Sequence, residues 1–156
     1  PWHTPPSCHQ ATTMTTSRIW TTDDLLSAAK SHNTGLLVEY LGIEFTAVGD
    51  DWLEARIPVV RHNLQPAGLL HGGASVVLAE TLASVACFHT LDAATQTCVG
   101  VEINANHLRG AREGWVTGRA TPLHRGRSTQ VWDIRLRDDQ QRPTCIARCT
   151  MAVLSR

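Results

Sequence analysis

HGGASVVLAETLASVACFHT, residues 71–90, decides the fold. These 20 residues are almost all apolar or small, long enough to cross a bilayer. Glu80 stands at the middle, His71 and His89 at the ends, and Ser75, Thr81 and Ser84 inside. A membrane span rarely accepts that set. The stretch therefore reads as a helix from about His71 to His89, buried in protein. It is apolar on nearly all sides and is expected to be covered all round.

Downstream the period changes from helical to alternating. Cys98–Leu108 alternates Val99, Val101, Ile103 and Ala105 with Gly100, Glu102, Asn104 and Asn106. Trp115–Pro122 is a further strand. Thr129–Arg137 puts Trp132, Ile134 and Leu136 on one face. Thr144–Leu154 does the same with Cys145, Ala147, Cys149, Met151 and Val153. Arg109–Gly114, His124–Arg127 and Asp138–Pro143 are the turns.

Upstream, GLLVEYLGIEFTAVGDDWLEARIPV, residues 35–59, reads as two extended runs around a turn at Val48–Asp51. In the second run Leu53, Ala55, Ile57 and Val59 form the inner face. Arg61–Leu70 is a loop. Thr21–Ser31 predicts a short helix capped by Thr21 or Thr22, with Asp23 and Asp24 in its first turn. Residues 1–17, rich in Pro and Thr, read as a mobile tail, with Met14 a candidate start inside it. Residues 18–156 then form one domain. One long helix and about six strands with short connections predict an α+β fold, a curved antiparallel sheet wrapped around the helix.

Composition narrows the function. The chain has 156 residues, 42% hydrophobic and 18% charged, enough for one core. Lys+Arg and Asp+Glu are each 14, so the basic excess of a nucleic-acid binder is missing. Five cysteines, an odd number without C-x-x-C spacing, argue against a disulfide framework. With no apolar run after a basic start, this points to a reducing cytoplasm. G-x-S-x-G, a P-loop and a dinucleotide fingerprint are missing. The eight histidines do not fall at familiar metal spacing. No metal or cofactor is expected.

Glu80 is the only Asp, Glu, Lys or Arg between His71 and Thr90. A carboxylate there is either paired, for example at a subunit seam, or serves as base or nucleophile. Ser84, four residues on, shares its face. His71-Gly72-Gly73 begins the helix, where backbone N–H groups lack partners and two glycines admit a ligand. That suits a carbonyl oxygen becoming an oxyanion, or only a tight turn. Gln65, upstream beside Pro66, is a neutral donor for the same oxygen or a plain loop residue. Glu80 lies nine residues after His71, so at ~100° and ~1.5 Å per residue it faces roughly the opposite side, about 13 Å along. If both act in one reaction, two subunits share the site, and a symmetric dimer holds two such sites. Two turns gather basic and small polar residues: His107, Arg109, Gly110 and Arg112, and His124, Arg125, Gly126, Arg127, Ser128 and Thr129. They suit phosphates, or are solvated turns.

QPAGLLHGGASVVLAETLASVA (65–86), VGVEINANHLRGAREG (99–114) and PLHRGRSTQVWDIRLRD (122–138) together resemble the hot-dog-fold acyl-CoA thioesterases of the branch with a catalytic Glu. The resemblance covers about residues 19–154. That branch includes hydrolases of 1,4-dihydroxy-2-naphthoyl-CoA in menaquinone synthesis and proofreading thioesterases of siderophore synthesis. It implies an acyl-CoA substrate, no cofactor, and a dimer of hot-dog dimers with sites at the dimer interface. It implies Glu80 as nucleophile or general base. The Gly72 N–H, with Gln65 and His71, would polarise the carbonyl, and Ser84 would orient water or Glu80. It assigns Gly100, His107, Leu108, Arg109, Gly110 and His124–Thr129 to substrate contacts. Val85, beside Ser84, leaves room for a fused aromatic ring. The rival readings are a carrier-protein proofreading thioesterase, a broad-specificity aryl- or acyl-CoA thioesterase, a hydratase or dehydratase on the same fold, and an acyl-CoA sensor.

Overall fold

The computed structural model describes residues 18–156, so the expected tail lies outside the described residues. Asp24 caps the first helix, α1 (Leu25–His32), by accepting from the Ser27 N–H at 3.1 Å. The cap is thus neither Thr21 nor Thr22, and Asp23 precedes the helix. Thr21 is used elsewhere: its N–H and hydroxyl both donate to the His89 carbonyl, at 2.8 and 3.0 Å. This ties the start of the domain to the end of the long helix.

The first extended run is only half right. Leu37–Tyr40 forms a one-turn helix, α2, between Gly35 and Gly42, both at positive φ. The two glycines, both in the left-handed region, turn the chain out of the extended run. Strands β1 (Glu44–Val48) and β2 (Leu53–Pro58) then form the expected hairpin. Leu53, Ala55 and Ile57 are fully buried. Arg61–Asn63 makes a short 3-10 turn in the expected loop. Asn63, buried there, donates to the carbonyls of Leu41 and Pro58, both at 2.9 Å, while its own carbonyl accepts from His71 N–H. The loop is thereby fixed at the base of the next helix.

That helix, α3, runs Gly72–Phe88 with His71 and His89 as caps. The strands β3 (Gln96–His107), β4 (Trp115–Arg125), β5 (Thr129–Asp138) and β6 (Pro143–Ser155) follow. All pair antiparallel in the order β1-β2-β4-β5-β6-β3. α3 lies across the sheet, touching β2 through β6. It comes close at Gly118, where an added Cβ would stand 2.8 Å from Leu82 Cδ1. Trp132, Ile134 and Leu136 face it with Cys145, Ala147, Cys149 and Met151, as the alternation predicts. The opposite face of the sheet carries ion pairs such as Arg56–Glu44 and Arg119–Glu54.

One expectation is not met within a single chain and another is overturned. First, the chain's own sheet does not cover α3 all round. Ala74, Ser75, Leu78, Ala79, Leu82, Ala83, Ala86 and Cys87 are buried on the sheet side. Gly73 and Glu80 are exposed, and Val76, Val77, Thr81, Ser84, Val85 and Phe88 only half-buried. The sheet wraps one side and leaves a stripe open. Second, Val99 and Val101 do not share a face with Ile103 and Ala105. Gly100 pairs with Met151 and Glu102 with Thr150, so Val101 is the extra residue of a bulge. The bulge reverses the alternation: Cys98 and Gly100 turn inward, and Val99 and Val101 are exposed. A third difference is smaller. β4 continues through a bulge at Leu123, so His124 and Arg125 are strand residues and only the following residues form the tip.

Candidate active site

The N-terminus of α3 forms one half of the site. His71 Nδ1 accepts from the Gly73 N–H at 2.9 Å, so the imidazole caps the helix. The Gly72 N–H, an orphan of the first turn, has no hydrogen-bond partner among the described residues. An added Cβ on Gly72 would stand 3.0 Å from His107 Nε2. Gln65 Oε1 accepts from the Ala67 N–H at 2.5 Å, which leaves its Nε2 donors for a ligand. Gln65, Gly72, His107, Leu108, Arg109 and Gly110 line one cleft of about 340 Å³. These six expected site residues are therefore brought together.

Glu80 belongs to a different place. Its Oε1 lies 3.0 Å from where a Cβ on Gly100 would be. The bulge at Val101 turns Gly100 toward the helix, and the missing side chain leaves room for the carboxylate. Glu80 also acts on β6: burial first, then the charges of Glu80 and Glu102, push the Cys149 thiol up to about 12. Ser84 shares the open stripe, but its hydroxyl donates to Met151 Sδ at 3.9 Å and not to Glu80. The expected Ser84–Glu80 contact is thus not made within one chain, because the hydroxyl is turned toward the sheet. Val85 lies on the same half-open stripe.

The β4–β5 hairpin tip joins this second half. Thr129 pairs with Ala152, which pairs with Val99, one residue from Gly100. Ser128 O accepts from the Val153 N–H at 2.9 Å, and Gly126 N–H donates to Thr129 O at 2.9 Å. An added Cβ on Gly126 would stand 2.5 Å from His124 Nε2. The Cys87 thiol is raised by its hydrogen bond with Cys98 and by burial, and Arg125 opposes that rise, which places its charge near the last turn of α3. Arg127 is exposed at the tip.

The site residues thus sort into two half-sites on one chain. Gly72 and Glu80 are separated by about 12 Å along the helix, from ~1.5 Å per residue. One half holds backbone donors and Gln65; the other holds the carboxylate and the arginines of the tip. Sequence reasoning missed Ser75 and Thr144, which also line the cleft. Ser75 was hidden in the apolar helix. Thr144 sits where plain alternation sends a side chain outward. Among the described residues, no three His, Cys, Asp or Glu side chains are grouped to hold a metal ion. No helix among them is long and apolar enough to cross a membrane.

A six-stranded, curved antiparallel sheet packed on one long helix is the fold of the hot-dog thioesterases. The chain matches the thioesterase superfamily over residues 67–145 and belongs to that family, the thioester hydrolases. It is 48% identical to a 1,4-dihydroxy-2-naphthoyl-CoA hydrolase of Escherichia coli, over 87% of this chain and 99% of the relative. It is also 48% identical to the proofreading thioesterase EntH of Cronobacter turicensis, over 87% and 98%. The crystal structure of a mutant thioesterase from Pseudomonas aeruginosa superposes with a TM-score of 0.86 at 48% identity, covering 88% of this chain and 99% of that one.

Proposed function

We propose that the protein hydrolyses an aromatic acyl-CoA, with 1,4-dihydroxy-2-naphthoyl-CoA the leading candidate, to the free acid and CoA. The observation that carries this is the division of the chemistry: the polarising donors flank a cleft, and the carboxylate lies outside it on Gly100. The substrate's thioester carbonyl accepts from the Gly72 N–H and Gln65 Nε2, where a low-dielectric site makes such donors effective. Glu80 takes a proton from water as hydroxide adds to the carbonyl carbon, and returns it to the thiolate when the C–S bond breaks. In the alternative, the carboxylate itself adds and expels the thiolate, and water opens the resulting anhydride. The guanidinium groups of Arg125 and Arg127 suit the phosphates of CoA.

This reading needs a second copy of the chain. β3 is an edge strand with Val99 and Val101 exposed, and it borders the open stripe of α3. Antiparallel pairing of β3 with β3 of a second copy, about a centre near Asn104, brings the Gly100 end of one strand to the His107 end of the other. Each cleft then meets the other copy's Glu80, and the stripe is covered. Two such dimers form the tetramer. A cytoplasmic setting is part of the same reading.

A proofreading role on misacylated aryl carrier protein is the second reading, favoured by the equal identity to EntH. Thiol release from 1,4-dihydroxy-2-naphthoyl-, benzoyl-, phenylacetyl- and medium-chain acyl-CoA, alongside aryl carrier protein, tests both. Fast aryl-CoA hydrolysis that collapses in Glu80→Ala is expected. Release indifferent to Glu80 sinks the mechanism, and turnover of the carrier-bound acyl group alone selects the second reading.

A further inference from the structure

We propose that Thr144 is a specificity residue whose hydroxyl recognises a ring hydroxyl of the acyl group. The inference rests on the thioesterase reading above. It begins with an irregularity in β6. The consecutive residues Leu136 and Arg137 of β5 pair with Cys145 and Pro143, so Thr144 is the extra residue of a bulge. Bulges re-aim side chains. Thr144 is 4% exposed and lines the cleft with Gly72, Ser75 and His107. Its Oγ1 is buried and has no hydrogen-bond partner among the described residues. Its carbonyl accepts from the N–H groups of Leu108 and Arg109, at 2.8 and 3.2 Å, so this residue also holds the cleft's rim.

A buried hydroxyl without a partner is costly, and such groups are rare unless something else satisfies them. Leu70 and Val116 contribute apolar wall to the same cleft. Apolar wall accepts a ring, and the unpartnered Thr144 hydroxyl beside the cleft reads one oxygen on it. The cleft's volume of about 340 Å³ exceeds the ~150 Å³ that holds benzene, so a fused ring fits. The thioester carbonyl already has its donors in Gly72 and Gln65, which leaves Thr144 for a substituent. A χ1 step of ~120°, from one staggered well to another, re-aims the hydroxyl.

The test compares thioesters that differ only in ring hydroxyls: 1,4-dihydroxy-2-naphthoyl-CoA against 2-naphthoyl-CoA, and 2-hydroxybenzoyl-CoA against benzoyl-CoA. The protein should prefer the hydroxylated member of a pair in kcat/KM. Thr144→Val should cut that preference about tenfold, the worth of one hydrogen bond, and Thr144→Ser should restore most of it. A merely structural role would lower both members alike. No preference, or one that Thr144→Val leaves within about twofold, overturns the inference. Glu80→Ala separates the two failures. Collapse in that variant with an unchanged preference sinks Thr144 alone; release indifferent to Glu80 sinks the thioesterase reading. Without turnover, calorimetric binding of 1,4-dihydroxy-2-naphthoic and 2-naphthoic acids decides. A Kd ratio unmoved by Thr144→Val again overturns the role.

Discussion

Glu80 Oε1 stands 3.0 Å from the point where a Cβ on Gly100 would lie. The two residues are on different elements, and only the bulge at Val101 brings them face to face. The proposed base is thus positioned by the absence of a side chain. Gly100→Ala should displace the carboxylate by a few tenths of an ångström. Because the far end of a flexible side chain can move, the fold should persist. Catalysis is less forgiving: about a tenfold to hundredfold loss of kcat is expected. Steady-state kinetics beside a melting curve checks this. Unchanged kcat in a folded Gly100→Ala would mean that Glu80 does not act from this position.

Asp138 offers a prediction for stability. Its carboxyl accepts from Gln140 N–H at 3.1 Å, Arg142 N–H at 2.9 Å and Arg142 Nε at 2.8 Å. Burial works to raise its pKa, but the hydrogen bonds and the charge of Arg142 hold it below the ordinary value. A carboxyl depressed in the folded state stabilises above its unfolded pKa, and that stability is lost as pH falls through the folded pKa. Asp138→Asn should therefore melt lower at neutral pH, and the gap should close below about pH 4. Melting temperatures from pH 7 to pH 3 give the answer; a gap that stays constant with pH would remove the carboxylate's charge from the account.

The long helix was legible because its run is apolar or small apart from a few polar residues, and His71 and His89 sit within a residue of its ends. The faces of β5 and β6 were legible because Trp132, Ile134 and Leu136 keep strict alternation against the core. The bulges were not. A bulge inserts one residue at a point chosen by packing, so Val101 and Thr144 look like ordinary members of an alternating run. The geometry that separates His71 from Glu80 follows from helix rise alone and was readable. The open stripe of α3 was not, because an apolar residue reads the same whether its cover comes from its own chain or from another.

Arg125 lies at the end of β4, close enough to the last turn of α3 for its charge to act on Cys87. If the hairpin tip holds CoA phosphates, Arg125→Ala should raise KM for an acyl-CoA about tenfold while kcat stays within about twofold. The same acyl group on pantetheine, which lacks the nucleotide, should show no such change. The wild-type KM for the CoA ester should also rise with salt. Equal KM shifts on both thioesters would move the arginine's role away from the nucleotide.

The shared site makes the most demanding prediction, because it concerns two chains at once. Glu80→Ala removes the carboxylate, and the double variant Gln65→Ala/His71→Ala removes donors at the other half. Each alone should be nearly inactive. Unfolded together and refolded at equal amounts, they should form mixed dimers as about half of the population. In a mixed dimer one site combines the intact donors of the first chain with the intact Glu80 of the second. The other site carries both defects. About a quarter of the wild-type activity should return, half the dimers times one site of two. A site contained in a single chain gives no recovery at any ratio, because every chain in the mixture is defective. Recovery near a quarter would establish that Glu80 reaches across to the cleft at Gly72, which the ~12 Å between them on one helix does not allow.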